Sequence, residues 1–282
     1  MTNNRNNIPR FRFLGRHFAH SSRLLVGDGL EGLPYSQNGK VLVKPGLRPA
    51  LLQESIECGE KLTSDDGKLY QDNLKQLFET DEFKAIETLV IQLFGLVGGH
   101  LGGATEALLA NDATIAHDLI ARDSMVDELY HKIQRFAYEV LLTHVPGEAS
   151  MRYLISILRI IPELERSGDL AEHIASRALR GITPELTPRI RGIIAQMGQI
   201  GVKMWRLTAD DFADHLTTHL DTVESLDDEL DDLQVALIAE LASGAVSIPV
   251  TIELALIARF YERFGDHAVN LGRVLSGLWG RE

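Results

Sequence analysis

The chain has 282 residues, 45% hydrophobic and 24% charged, with one cysteine, Cys58, and a formal net charge of −12. This is globular composition; it excludes a wholly disordered chain and a disulfide scaffold, and a lone thiol fits a reducing compartment. The acidic balance excludes nonspecific nucleic-acid binding, which needs a basic surface.

Charge is unevenly spread. Residues 1–80 carry 11 Lys/Arg against 9 Asp/Glu, whereas residues 81–282 carry 17 against 31. The basic N-terminal arm, with Arg5, Arg10, Arg12, Arg16 and Arg23, reads as a partly disordered leader in preference to an anionic-surface contact. Its longest apolar run, Leu24-Leu25-Val26, is too short for the core of a secretory signal. Residues 1–81 are therefore set apart as an N-terminal extension.

From residue 81 onward apolar residues recur at three and four, and turn signals divide the chain into six helices. The first covers about 82–110. Its segment from Thr88 to Thr105 has no charge, but it contains Gln92, His100 and five glycines, so a core helix is favoured over a membrane span. Gly95, Gly99 and Gly103, four apart, predict one smooth face for a close-packed neighbour. The second helix covers 112–143, the third 148–180 and the fourth 188–208. The fifth covers 211–243, and the last, with Pro249 in its first turn, 248–278. Pro162 inside the third predicts a kink just before Glu165.

The chain repeats itself. Glu165-Arg166-Ser167-Gly168-Asp169 returns 97 residues later as Glu262-Arg263-Phe264-Gly265-Asp266. On the middle helices, Asp123 and Asp127 before Glu128-Leu129 match Glu224 and Asp228 before Glu229-Leu230 at an offset of 101. Two matches in order predict an all-α fold of two pseudo-symmetric three-helix bundles, 82–182 and 183–280, after the extension.

Each pair is acidic-x-x-x-acidic, which places both carboxylates on one helix face. With Leu119 at 0°, Asp123 falls at about 40° and Asp127 at about 80°, inside the apolar arc. Glu165 and Asp169 lie likewise among Leu154, Leu158, Ile161 and Pro162. Clustered carboxylates on an apolar face are costly unless paired or metal-bound. All-oxygen ligands suit a hard cation, and this reading is favoured over neutralisation by Arg166 and Arg263.

These residues resemble the PhoU family. The Glu-Arg-x-Gly-Asp runs, each on the last helix of a three-helix unit, and the acidic pairs before them match that family's motifs over about residues 82–278. The resemblance implies a cytoplasmic, non-enzymatic regulator that binds metal clusters through Asp123, Asp127, Glu165, Asp169, Glu224, Asp228, Glu262 and Asp266. Fe, Mn, Mg, Zn and Ca are the candidate ions. Arg166, Arg263, His173 and Asn270 are possible supporting residues; Asn270 has the family's usual residue four after the motif Asp, while His173 departs from it and reads as a surface side chain. The resemblance further implies negative regulation of phosphate uptake and of the phosphate-starvation response. Its implied partners are the ATPase subunit of a phosphate ABC transporter and a sensor histidine kinase. Contact with the membrane would be peripheral, through those complexes, and a homodimer is expected. Two alternatives stand beside this: an accessory subunit of another phosphate permease, and a di-iron carboxylate-bundle enzyme. The second is disfavoured because Gly168 and Gly265 stand where its Glu-x-x-His motif needs histidine.

Overall fold

A computed structural model describes residues 77–78, 80–143 and 147–279; the N-terminal extension, with Cys58 and the basic arm, lies outside the described residues. Six long helices follow one another: α1 (Asp81–Ala110), α2 (Ala113–Thr143), α3 (Glu148–Ala178), α4 (Pro188–Ala213), α5 (Leu220–Ala242) and α6 (Ile248–Trp279). One 3-10 turn, Thr183–Glu185, joins α3 to α4.

Local chemistry sets the ends. Asn111 adopts a left-handed conformation (φ 57°) and closes α1, and the Asp112 carboxylate accepts from the backbone N–H groups of Thr114 and Ile115 to start α2. Thr187 caps α4 by accepting from Ile190 N, with Pro188 at the first helical position, where a missing N–H costs nothing. The α3 helix runs unbroken through Pro162.

The α4–α5 boundary corrects the sequence reading. The apolar period places the fourth helix at 188–208 and the start of the fifth at 211. Instead α4 continues to Ala213. The Asp211 carboxylate is buried and reaches forward, accepting from Thr218 N, Thr218 Oγ1, His219 N and His219 Nδ1, the last at 2.7 Å. It therefore ties the two residues ahead of α5, which begins at Leu220, to the end of α4.

Helices α1, α3, α6 and α4 form a ring, each packed on the next; α2 lies against α1 and α3, and α5 against α4 and α6. The core is continuous across both repeats. Thr105 on α1 and Tyr261 on α6 share a 2.7 Å hydrogen bond within it. Trp205 on α4 donates from its indole N–H to the Phe94 carbonyl on α1 at 2.9 Å. That indole lies so close over Gly98 that a Cβ there would meet its Cδ1 at 2.9 Å. The glycine face thus differs from expectation: Gly103 packs on Leu119, but Gly95 and Gly99 have nothing within 4 Å, and Gly98 makes the close approach. By length and composition α1 could cross a membrane, but its apolar side forms the wall of this core.

Candidate functional site

The two repeats bring their acidic motifs to two seams, α2/α3 and α5/α6, which flank the α3–α6 contact. At the first seam Val126 of α2 sits directly on Gly168 of α3; a Cβ at Gly168 would meet its Cγ1 at 2.9 Å. The absent side chain lets the helices close, and the residues on either side of this contact are Asp123 and Asp127 on one helix, Glu165 and Asp169 on the other. The four expected carboxylates of the first bundle line this seam near enough to act on one another electrostatically, without any three of them gathering as an ion's ligands. Burial, then the charges of Asp169, Asp127 and Glu172, push the Asp123 carboxyl up to about 6. Burial and the neighbouring carboxylates of Asp169 and Asp127 raise Glu165. Burial raises Asp169 too, with His173 opposing it.

The second seam has a different register from the one expected. A Cβ at Gly265 would meet Asp227 Oδ1 at 2.6 Å and Leu230 Cδ2 at 2.8 Å. Leu230 therefore stands where Val126 stands in the first repeat, an offset of 104 rather than 101. The carboxylates facing Glu262 and Asp266 are those of Asp227 and Asp231. Burial, then Asp231, Asp266, Asp228 and Glu262, push Asp227 up to about 6. Burial and Asp266 raise Asp231, and burial raises Glu262 against the opposing Arg259. Asp228 stays exposed beside the seam, and Glu224 turns away to accept from Arg273 at 2.8 Å. The assignment of Glu224 and Asp228 to this site is thus replaced by Asp227 and Asp231. Both pairs have the same four-residue spacing and each brackets a buried leucine, Leu226 or Leu230; what separates them is that Leu230 is the one that meets Gly265.

The supporting residues also divide. Arg166 binds Glu163 at 3.1 Å, rather than a motif carboxylate. In the second repeat it is Arg259, not Arg263, that binds the motif glutamate, Glu262. Arg263 and Asn270 are exposed on α6, and His173 stacks on Phe260 with ring centroids 5.3 Å apart. Sequence reasoning missed one buried link: His267 Nδ1 lies 2.6 Å from Glu163 Oε2, joining α6 to α3 between the two seams. Its only sequence signal is a histidine next to the motif Asp266.

The seams suit a hard cation in donor chemistry. Asp123 Oδ1 and Glu262 Oε2 are both buried without a hydrogen-bond partner, one orphaned carboxylate oxygen at each seam. Such oxygens are costly to leave unpaired. As the side chains stand, no group of three His, Cys, Asp or Glu among the described residues is close enough to enclose an ion. Chelation requires rotamer closure across each seam.

Fold and site together define a class: a tandem three-helix protein with a carboxylate seam in each repeat. The PhoU-domain profile matches this chain twice, at residues 90–178 and 194–275, and the chain belongs to the PhoU family. It is similar to the phosphate-specific transport system accessory protein PhoU homolog 1 of Thermotoga maritima, 30% identical over 67% of this chain and 84% of that protein. PhoU homolog 2 of Mycobacterium tuberculosis is 28% identical over 64% of this chain and 87% of its own length. The fold of this chain is similar to that of Pseudomonas aeruginosa PhoU, with a TM-score of 0.66 at 24% identity, covering 71% of this chain and 98% of that one. Proteins of this family are regulatory accessory proteins rather than enzymes.

Proposed function

We propose that this chain is a cytoplasmic negative regulator of phosphate uptake and of the phosphate-starvation response. In this reading it acts by binding the ATPase subunit of a phosphate ABC transporter and a sensor histidine kinase. Metal ions held at the two seams set the spacing of α2 against α3 and of α5 against α6. The observation that carries the metal part is the pair of orphaned buried oxygens, Asp123 Oδ1 and Glu262 Oε2, each among carboxylates raised by burial and by one another. Asp123, Asp127, Glu165 and Asp169 would hold an ion at the first seam, and Asp227, Asp231, Glu262 and Asp266 at the second. A hard cation would supply the positive charge that those oxygens lack, and the choice among Fe, Mn, Mg, Zn and Ca follows from ligand geometry and availability.

The test is genetic and chemical. Deleting the gene is expected to leave phosphate uptake high in phosphate-rich medium. Wild type restores repression, and an Asp123→Asn, Asp227→Asn variant that folds but lacks the metal does not. Normal repression in the deletion strain overturns the regulatory reading; full rescue by the metal-free variant overturns the role of the seams.

A further inference from the structure

Helices α1 and α4 begin the two repeats, and they meet opposite the α3–α6 contact in the ring. Thr105 of α1 packs on Gly198 of α4, where a Cβ would meet its Cγ2 at 2.5 Å. Leu101 packs on Gly201, where a Cβ would meet its Cδ2 at 2.9 Å. One residue number falls as the other rises, so the two helices run antiparallel. With so little side chain at the crossing, an open groove of about 850 Å³ lies along its outer side. That is within the range of small-molecule sites. Its α4 wall runs from Ala195 to Arg206, about 16 Å at 1.5 Å per residue.

The groove has two chemically different ends. Leu109, Ala110 and Ala195 line one, and Gly102, Thr105 and Val202 the middle. The Thr105 hydroxyl is already used, donating to the Leu101 carbonyl and sharing a hydrogen bond with Tyr261, so the floor is apolar. Lys203 and Arg206, one turn apart on α4, stand at the other end. Arg206 approaches Asp210 only at 3.9 Å, with both side chains exposed, and such a pair contributes little. Among the described residues Lys203 pairs with no carboxylate. Two neighbouring cations are thus left available on a region with 17 basic against 31 acidic residues. Glu106 lies on the opposite wall, about 9 Å along the groove from the level of Lys203.

We infer that the α1–α4 groove binds a free single-chain amphiphile with one anionic head, such as a long-chain carboxylate. The head pairs with Lys203 and Arg206, and the chain lies over Gly102 and Val202 toward Leu109. The lining selects this class. It holds no aromatic ring on which a nucleobase would stack, and its floor has no spare polar group to read a sugar. Glu106 repels a second negative group further along, so the ligand is charged at one end only. The acidic surface around the groove disfavours an anionic bilayer as the source of the chain.

The experiment titrates the full chain with dodecanoate, kept below the concentration at which it forms micelles, by calorimetry. Saturable binding of one molecule per chain is expected. Decanoate, shorter by two methylenes that are half-buried in an open groove, is expected to bind roughly fourfold more weakly. Dodecyltrimethylammonium, the same chain with a cationic head, is expected to bind at least tenfold more weakly. A Lys203→Ala, Arg206→Ala variant changes only exposed side chains and is expected to lose that preference for the anionic head. Gly102→Leu fills the floor and is expected to lose both probes; its Cβ would meet Val202 at 3.8 Å, an ordinary contact, and a melting curve checks the fold. Lys132→Ala, exposed on α2, is expected to bind as wild type does. Absence of saturable binding by the wild type, equal affinity for the two heads, or wild-type behaviour of either groove variant overturns the inference. Flotation with anionic phospholipid vesicles that Gly102→Leu abolishes would assign the groove to a bilayer. Dissociation of a dimer by Gly102→Leu would assign it to a second copy. Either result overturns the free ligand.

Discussion

The two acidic seams make one design with different residues. In the first, the motif glycine receives a purely apolar neighbour, Val126, and the arginine of the motif, Arg166, is drawn off to Glu163. In the second, Gly265 receives Leu230 together with the Asp227 carboxylate itself, and the compensating cation is Arg259, three residues before the motif glutamate. The difference teaches which part of the repeat is under geometric constraint. The glycine and its apolar partner set how closely the helices approach, and carboxylates are placed around that contact. The arginines are free to find other partners.

Metal binding gives the sharpest way to break this comparison. Asp227→Asn is expected to weaken cation binding at the second seam by at least about 100-fold, the upper end of what is lost when a group that merely orients a metal ligand is removed. Glu224→Gln is expected to leave binding unchanged. Elemental analysis with a melting titration checks both, since a bound ion stabilises by mass action. Equal losses from the two substitutions would restore the 101-residue register.

The glycines come next. Gly265→Ala places a methyl group 2.6 Å from Asp227 Oδ1 and 2.8 Å from Leu230, and it should cost about 1–3 kcal/mol, partly offset by alanine's better helix propensity. Gly168→Ala meets only the Val126 side chain, at 2.9 Å, and should cost less. Denaturant melts of the metal-free protein decide the order; a larger loss from Gly168→Ala would contradict it.

A smaller effect depends on pH. Asp123 and Asp227 hold their protons to about pH 6 in the folded chain, against 3.8 ordinarily. The folded state therefore binds more protons than the unfolded chain across this window, and metal-free stability falls as pH rises from about 4 to 6, then stays low. Asn at either position should raise metal-free stability at pH 7 by about 1 kcal/mol once solvent screening is allowed for, and should change little at pH 4. A gain that persists at pH 4 would show that charge is not its cause. The smallest expected effect is at the exposed Glu224–Arg273 pair, where Glu224→Gln should cost no more than about 0.5 kcal/mol.

Much of this protein is legible in its sequence. The 97-residue repeat of Glu-Arg-x-Gly-Asp and the 3.6-residue apolar period determine six helices in two similar units. The helical wheel places Asp123, Asp127, Glu165 and Asp169 on inward faces, and the first seam is readable for that reason. The α4–α5 boundary was not readable, because Asp211 has the residue type of a cap but acts across eight residues, through contacts that exist only once His219 folds back onto it. The register of the second seam was decided by tertiary structure. Residues 224–232 contain six acids, so several acidic-x-x-x-acidic pairs compete, and all look alike along the chain. Only the packing of Leu230 into the space that Gly265 leaves selects Asp227 and Asp231. Helical period is a property of one segment, whereas register between helices is a property of the contact, set by which side chain fits the gap opposite.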